Sequence, residues 1–491
     1  MSKVYLVGAG PGDPLLLTLK GKQVLECADA VLYDYLANES LLQLAPPSAE
    51  RIYVGKKRAD HAFTQEEIAR MMIERARAGK IVVRLKGGDP YIFGRGGEEA
   101  EALADAGVDF QVVPGVTSPL GIAAYAGVPL THREHTSVVT FVTGHDRSGV
   151  DWAKAAAAET LVLFMGVTHA SEIVPLLIRH GRDPRTPAIA VRWATRPDQL
   201  SVEAPLEELP RRIQESGLKP PATIIIGEVV RLRQKLNWFE RLPLFGQRIV
   251  ITRAAGQAGE LASRLASLGA DAVEFSTIDI RPAPDYAALD AAIARLDSYD
   301  WLLFTSANGV RFFLERLRHS PRDLRSLPAK LCAIGPATRA ALELLHLKVD
   351  LMPEQYVAES VVAALAKQQI GGKRILLPRA AIARDLIPEE LDRLGAHIDV
   401  VEAYRTEIPE FSHERARDVF AKRPDWVTFT STSTVNNFVT AAGRKALEGV
   451  KVATIGPVTS EAARSLAIEV TAEASPYTID GLVQAILARV G

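Results

Sequence analysis

Arg84-Leu-Lys-Gly-Gly-Asp-Pro-Tyr-Ile-Phe-Gly-Arg-Gly-Gly-Glu-Glu99 is the stretch from which the rest of the chain can be read. Five of its sixteen residues are glycine, ordered around a Gly-Gly-Asp-Pro turn and Phe93-Gly94-Arg95. Lys80-Ile-Val-Val-Arg84 before it reads as a buried strand, and Glu98-Glu-Ala-Glu-Ala-Leu103 after it as the start of a helix. Glycine at a strand-to-helix turn permits positive φ and lets backbone approach a ligand closely. Arg95, flanked by Gly94 and Gly96, is expected on a flexible loop.

The same alternation extends outward. Val4–Val7, Ala30–Tyr33, Ile81–Val83 and Phe110–Val113 read as strands, each followed by Gly/Pro punctuation and an amphipathic stretch. That pattern predicts a mostly parallel α/β sheet. A second set runs through Ser137–Thr143, Thr160–Met165, Ala188–Val191 and Ala222–Gly227, with turn-rich Ala126–Arg133 between the sets. Lys235–Gly246 breaks the pattern, and a new strand follows from Arg248, which places the major boundary near residue 245.

Beyond it lies an internal repeat. Arg248-Ile-Val-Ile-Thr-Arg-Ala-Ala255 is echoed by Arg374-Ile-Leu-Leu-Pro-Arg-Ala-Ala381, each followed at the same offset by Leu-Gly-Ala, at Leu268 and Leu394. Asp300-Trp-Leu-Leu-Phe-Thr-Ser306 is echoed by Asp425-Trp-Val-Thr-Phe-Thr-Ser431, and Ala333-Ile-Gly-Pro-Ala-Thr338 by Thr454-Ile-Gly-Pro-Val-Thr459. The order A-B-A-B predicts two related α/β units.

Composition excludes several classes. The 491 residues carry a formal net charge of −1, so no global basic field recruits nucleic acid, and an anionic ligand must be met by local Arg and Lys. Two distant cysteines, Cys27 and Cys332, argue against a disulfide framework, a zinc site or an iron–sulfur cluster, and no metal is expected. No apolar run approaches the ~18 residues of a membrane helix. The N-terminus starts a strand without a signal-peptide layout, so no membrane association and a cytoplasmic location are expected.

Gly8-Ala-Gly-Pro-Gly-Asp-Pro14 follows the first strand. Pro11 sits inside the loop and Asp13 stands where a dinucleotide fingerprint would close with glycine, which argues against NAD. With Val31-Leu-Tyr-Asp-Tyr35, Val54-Gly-Lys-Lys57, Val113-Pro-Gly-Val-Thr-Ser118, Gly127-Val-Pro-Leu-Thr-His-Arg133, Phe164-Met-Gly166 and Ile226-Gly-Glu-Val-Val230, this opening resembles the tetrapyrrole methylases. Within them it resembles the uroporphyrinogen-III C-methyltransferases, over residues 1–240, with subdomains about 1–130 and 131–240.

That resemblance implies S-adenosylmethionine as donor, uroporphyrinogen III as acceptor and precorrin-2, after two methylations, as product. Pro11, Gly87, Gly88, Asp89, Ile92, Thr117, Ser118, Met165, Ala194 and Ala222 would line the donor site. Ala194 replaces a glycine that some relatives carry. Asp34 as proton acceptor and Lys56 as proton donor match family positions; without the match they read as a strand-end turn carboxylate and a solvated loop lysine. Arg95 and Arg133 suit substrate carboxylates, and Glu98 either orients Arg95 or is a first-turn carboxylate. His61 and His132 read as polar loop residues. A related methylase acting on a later corrin intermediate is the alternative that Gly94–Glu99 disfavours.

Residues 246–491 resemble the uroporphyrinogen-III synthases through Phe304–Val310, Ala333–Thr338, Val401-Glu-Ala-Tyr-Arg-Thr406, Phe429-Thr-Ser431 and Ile455–Thr459. The resemblance implies cyclisation of hydroxymethylbilane to uroporphyrinogen III with inversion of the terminal ring, without cofactor. Its fold would be a pair of interleaved flavodoxin-like parallel α/β domains, about 246–281 plus 405–491 and about 282–404. Thr305, Ser306, Thr338, Ser431 and Thr459 are candidates for binding substrate carboxylates, or else helix N-caps. Tyr404 matches the family tyrosine proposed to help the hydroxyl leave, or else makes an interdomain hydrogen bond. The partners expected are small-molecule tetrapyrroles and a second copy, as a homodimer through the methyltransferase half. A non-catalytic tetrapyrrole-binding or regulatory C-terminal module is the alternative.

Overall fold

The computed structural model describes residues 3–55, 63–145, 149–253, 258–327, 330–382, 385–410 and 412–490. It divides into two compact units: Met1–Arg248 with Arg264–Asp271 and Val490–Gly491, and Ile249–Ser263 with Ala272–Arg489.

The first unit holds two five-stranded sheets. One contains β1 (Lys3–Gly8), β2 (Ala30–Tyr33), β3 (Glu50–Tyr53), β4 (Ile81–Lys86) and β5 (Phe110–Val113) in the order β3-β2-β4-β1-β5. All its pairings are parallel. Such a sheet is covered on both faces, so its strands read as nearly continuous apolar runs. On one face Val7, Val31, Val83 and Leu85 pack with Leu25 and Leu41. On the other, Leu6, Leu32 and Val82 pack with Met72 and Leu103 of the helices Gln65–Arg77 and Gly96–Asp105.

The second sheet contains β6 (Val139–Thr143), β7 (Thr160–Phe164), β8 (Pro187–Arg192), β9 (Leu200–Pro205) and β10 (Ala222–Ile226) in the order β6-β7-β10-β8-β9. Only β6 and β7 pair in parallel; β10 runs antiparallel to β7 and β8, and β8 antiparallel to β9. The mostly parallel expectation therefore holds for the first sheet and not for this one. The connection from β8 to β9 is too short for a parallel crossover, which needs a dozen or more residues.

The second unit contains, apart from the first residues of β11 and β12, the strands β11 (Arg248–Ile251), β12 (Asp271–Glu274), β13 (Asp279–Pro282), β14 (Trp301–Phe304), β15 (Lys330–Ala333), β16 (Arg374–Ala380), β17 (His397–Glu407), β18 (Trp426–Phe429), β19 (Lys451–Thr454) and β20 (Ala472–Glu473). They form two sheets, β12-β11-β18-β19-β20 and β13-β17-β16-β14-β15. The repeat explains both orders. The repeated A strands are β11 and β16, and the repeated B strands are β14 and β18. The first A strand pairs with the second B strand (Ile249 opposite Trp426), and the second A with the first B (Trp301 opposite Ile375). Each sheet thus shares the core order of a flavodoxin-like fold, 2-1-3-4. Beyond it, β20 extends the first sheet in parallel, and β13 extends the second antiparallel to β17. Among the described residues no helix is long and apolar enough to cross a membrane.

Candidate active sites

In the first sheet β1 lies between β4 and β5, so the turns at their C-terminal ends meet. Gly10 N–H donates to Gly88 O at 3.2 Å and Gly88 N–H to Gly10 O at 2.8 Å. Asp89 clamps the next pair of turns: its Oδ1 accepts Tyr91 N–H at 2.8 Å and its Oδ2 accepts Gly115 N–H at 3.0 Å. There is no space for side chains here. A Cβ on Gly8 would lie 2.6 Å from Gly115, one on Gly115 2.3 Å from Gly88 O, and one on Gly87 2.4 Å from Leu36 Cβ. Gly88 is constrained differently, because its φ of +69° favours glycine while a Cβ there would meet only ordinary contacts, 3.7 Å from Thr117 Cα.

Other expected donor-site residues converge on these turns. A Cβ on Gly121 would lie 2.7 Å from Pro11 Cγ and 3.0 Å from Thr195 Cγ2. Asp13 N–H donates to Thr195 Oγ1 at 2.9 Å, and Tyr125 O–H to Asp13 Oδ2 at 2.7 Å. This brings Pro11 to the segment holding Ala194. Thr117 precedes the helix Ser118–Tyr125 but its side chain does not cap it. Ser118 Oγ lies 3.4 Å from Thr223 Oγ1, adjacent to Ala222. Ile92 is exposed beside Phe93, whose ring packs 4.7 Å from that of Phe164, next to exposed Met165. Phe93, Arg95, Met165, Trp193 and Thr195 all have positive φ without being glycine. Backbone strain of this kind gathers where a site over-determines the chain.

Asp34 stands just past β2. Its Oδ1 accepts Leu36 N–H at 3.1 Å and its Oδ2 accepts Arg84 Nη2 at 3.0 Å. Behind it lies a group of charges that the sequence reading missed. Arg84 and Lys86 are each 4% exposed and Glu99 is wholly buried. Glu99 Oε1 receives Arg84 Nε at 3.2 Å, Lys86 Nζ at 2.8 Å and Gln65 Nε2 at 2.5 Å, while Oε2 has no partner. Burial, and next the adjacent Arg84 charge, hold the Lys86 ammonium below the usual lysine range. The available signal was Arg84 and Lys86 two apart on one face of an otherwise apolar strand, a costly placement without a paired anion.

Arg95 heads the helix Gly96–Asp105 and grips Glu98 through Nε and Nη2, at 3.0 and 2.6 Å. The hydrogen bond raises the arginine pKa and lowers that of Glu98. The loop is not the flexible one expected: Gly96 N–H donates to Pro90 O at 2.9 Å, and a Cβ on Gly94 or Gly96 would meet Pro90 O at 2.7 or 2.4 Å. Arg133 is exposed in a turn closed by a His132–Thr136 bridge. In that turn His132, Glu134 and His135 carry donor atoms within 4.8 Å of one another, and His132 Nδ1 already accepts Glu134 N–H at 3.2 Å. Lys56 and His61 lie outside the described residues.

In the second unit Tyr404 O–H lies 3.0 Å from Ser306 Oγ, and its ring stacks on Phe312 at 5.6 Å. Burial raises the phenol pKa and the Ser306 hydrogen bond opposes this, so the group stays neutral. Ser306 caps the helix Ala307–Arg318 by accepting Gly309 N–H at 3.0 Å. Ser431 caps Thr432–Ala442 by accepting Thr434 N–H at 3.2 Å. Thr338 and Thr459 are buried in first helical turns whose N-caps are Gly335 and Gly456, so they are not caps. Thr305 is half-buried one residue before Ser306.

The family model of Tetrapyrrole (Corrin/Porphyrin) Methylases matches residues 3–210, and that of Uroporphyrinogen-III synthase HemD matches residues 259–484. A porphyrin biosynthesis protein HemD of Ruminiclostridium josui is 37% identical over 99% of this chain and 97% of its own. A uroporphyrinogen-III C-methyltransferase of Bacillus subtilis is 40% identical over 69% of this chain and 71% of its own. The structure of a Thermus thermophilus uroporphyrin-III C-methyl transferase complexed with S-adenyl homocysteine is 48% identical over 47% of this chain and 99% of that one, with a TM-score of 0.41. The chain therefore belongs to the family of fused tetrapyrrole-biosynthesis enzymes, a uroporphyrinogen-III C-methyltransferase half of the tetrapyrrole methylases followed by a uroporphyrinogen-III synthase half.

Proposed function

We propose that the C-terminal half, residues 246–491, converts hydroxymethylbilane into uroporphyrinogen III. The N-terminal half, residues 1–240, then methylates that product twice to precorrin-2. The observation that carries the second step is the convergence of the Gly10, Gly88 and Gly115 turns at one sheet end, where a Cβ on Gly8, Gly87 or Gly115 would collide with neighbouring atoms and Gly10 and Gly88 take positive φ. Such a convergence fits a ligand read by backbone. S-adenosylmethionine, when bound, supplies a methyl carbon activated by a sulfonium. Pro11, Gly87, Gly88, Asp89, Ile92, Thr117, Ser118, Met165, Ala194 and Ala222 are the residues that would hold it.

The new carbon–carbon bond uses the electron pair of a pyrrole carbon, and the positive charge this leaves on the macrocycle is shed as a proton. Asp34 accepts that proton, each of its oxygens keeping lone pairs beyond its one hydrogen bond. In the tautomerisation that follows, Lys56 gives a proton to one position of the macrocycle as another position loses one, with no net change in charge. Arg95, held by Glu98, and Arg133 bind the acceptor's carboxylates and align the reacting carbon, which supplies much of the acceleration.

In the synthase half, hydroxymethylbilane loses water, its terminal ring inverts and the macrocycle closes. Neutral Tyr404 supports the leaving hydroxyl by hydrogen bonding rather than by ionising. Thr305, Ser306, Thr338, Ser431 and Thr459, at turns where backbone N–H groups cluster, take the substrate carboxylates. The test supplies hydroxymethylbilane and S-adenosylmethionine to the intact protein and resolves products by absorbance and mass. A dimethylated type III product is expected. Residues 246–491 that fold but leave the type I to type III ratio unchanged would make that half a non-catalytic binding module.

A further inference from the structure

We propose that Arg84 and Glu99 are positioning residues for methyl transfer, a buried bracket that aims the Asp34 carboxylate at the acceptor. This rests on Asp34 being the proton acceptor. The guanidinium is pinned along three directions: Nε donates to Glu99 Oε1 at 3.2 Å, Nη1 to Leu85 O at 3.0 Å and Nη2 to Asp34 Oδ2 at 3.0 Å. Glu99 is fixed in turn by Lys86 at 2.8 Å and Gln65 at 2.5 Å. The Arg84 side chain is 5% exposed and that of Glu99 is fully buried, whereas Asp34 at 21% still reaches solvent. Burying Arg84 and Glu99 costs desolvation that their pairing only offsets; here the chain bears that cost for the cation and its anchor and leaves the second carboxylate at the mouth.

The sequence places this bracket under the donor loop. Lys86 is the residue before Gly87-Gly88-Asp89, and Glu99 follows Glu98, which holds Arg95. One wholly buried carboxylate thus ties the strand carrying the donor turns to the helix that Arg95 heads. Buried charges of this number are costly unless each is paired, and a hydrophobic replacement of similar size is often as stable. Retaining them fits a demand for geometry. Lysine could not replace Arg84, because an ammonium lacks the planar fork that spans two carboxylates in fixed directions.

The experiment is a double-mutant cycle in the full-length protein, with uroporphyrinogen III and S-adenosylmethionine as substrates. Asp34→Asn should reduce kcat by about 100-fold or more, the scale of a lost acid–base group. Arg84→Met should reduce kcat by about 10-fold to 100-fold, with KM for S-adenosylmethionine within about 2-fold, and should add little in the Asp34→Asn background. Arg84→Met leaves Glu99 with only Lys86 and Gln65 and costs stability; Arg84→Lys keeps the charge, should melt near wild type and should still lose about 10-fold in kcat.

Losses that multiply in the double variant, or S-adenosylhomocysteine affinity falling in step with kcat, would overturn the proposal. An Asp34→Asn variant with full activity would instead remove the reading beneath it. Wild-type kcat in folded Arg84→Lys, with Asp34→Asn still impaired, would sink the bracket alone.

Discussion

Arg95 adopts a φ of +57° at the head of its helix while its side chain, 60% exposed, is held by Glu98. An exposed ion pair contributes at most about 1 kcal/mol, and alanine bears the same positive φ that arginine does. Arg95→Ala should therefore fold and melt within a few degrees of wild type, yet lose methylation by about 100-fold or more, with cyclisation intact. Methylation within a few-fold of wild type would remove its carboxylate-binding role. Gly88 and Gly115 separate strain from space. Gly88→Ala should cost about 1–2 kcal/mol through its φ. Gly115→Ala drives a methyl to 2.3 Å from Gly88 O and should destabilise more and abolish S-adenosylhomocysteine binding, as calorimetry and melting would report. Glu98 and Glu99 mark where residue-level reading stops. They are adjacent in sequence, but a helix turns successive side chains about 100° apart, so one meets solvent and Arg95 and the other is sealed beneath the sheet end.

Among the elements, β17 and β15 carry the clearest expectations. Tyr404 on β17 keeps its stack on Phe312 as phenylalanine and loses only the Ser306 partner, worth about 1 kcal/mol. Tyr404→Phe should slow type III formation several-fold and leave methylation of supplied uroporphyrinogen III unchanged; loss of both activities would mean misfolding. Cys332 on β15 is buried, and burial pushes its thiol up to about 12, whereas Cys27 is exposed. A thiol reagent near pH 8 should titrate Cys27 alone until the protein unfolds; native reaction at Cys332 would contradict that packing. Strands with apolar runs, such as β2, β7 and β8, were legible because burial on both faces leaves no polar alternation. The sequence reading did not pick out β9, Leu200–Pro205, because an edge strand with Ser, Glu and an exposed Leu200 carries little apolar signal.

For the whole molecule, cutting near residue 245 should give two soluble pieces with separate activities, since each side has apolar cores of its own. The decisive reading is the ratio of type III to type I macrocycle formed by residues 246–491, because hydroxymethylbilane closes unaided to type I. Interleaving adds a second expectation. A cut between the repeats, near residue 345, should yield no folded synthase piece, because β11 pairs with β18 and β14 with β16 across it; circular dichroism would reveal a folded fragment and refute this. By itself the sequence determined the glycine-rich turns, most of the strands, the break near 245 and the A-B-A-B repeat, because each depends on local periodicity or on glycine's access to positive φ. Which A strand meets which B strand was expected from the family resemblance and not from any local pattern, and only the tertiary structure decided that β10 reverses in the second sheet and that Glu99 reaches back through Arg84 to Asp34. Those outcomes are fixed by which surfaces bury one another across long stretches of chain, and no local pattern records that choice.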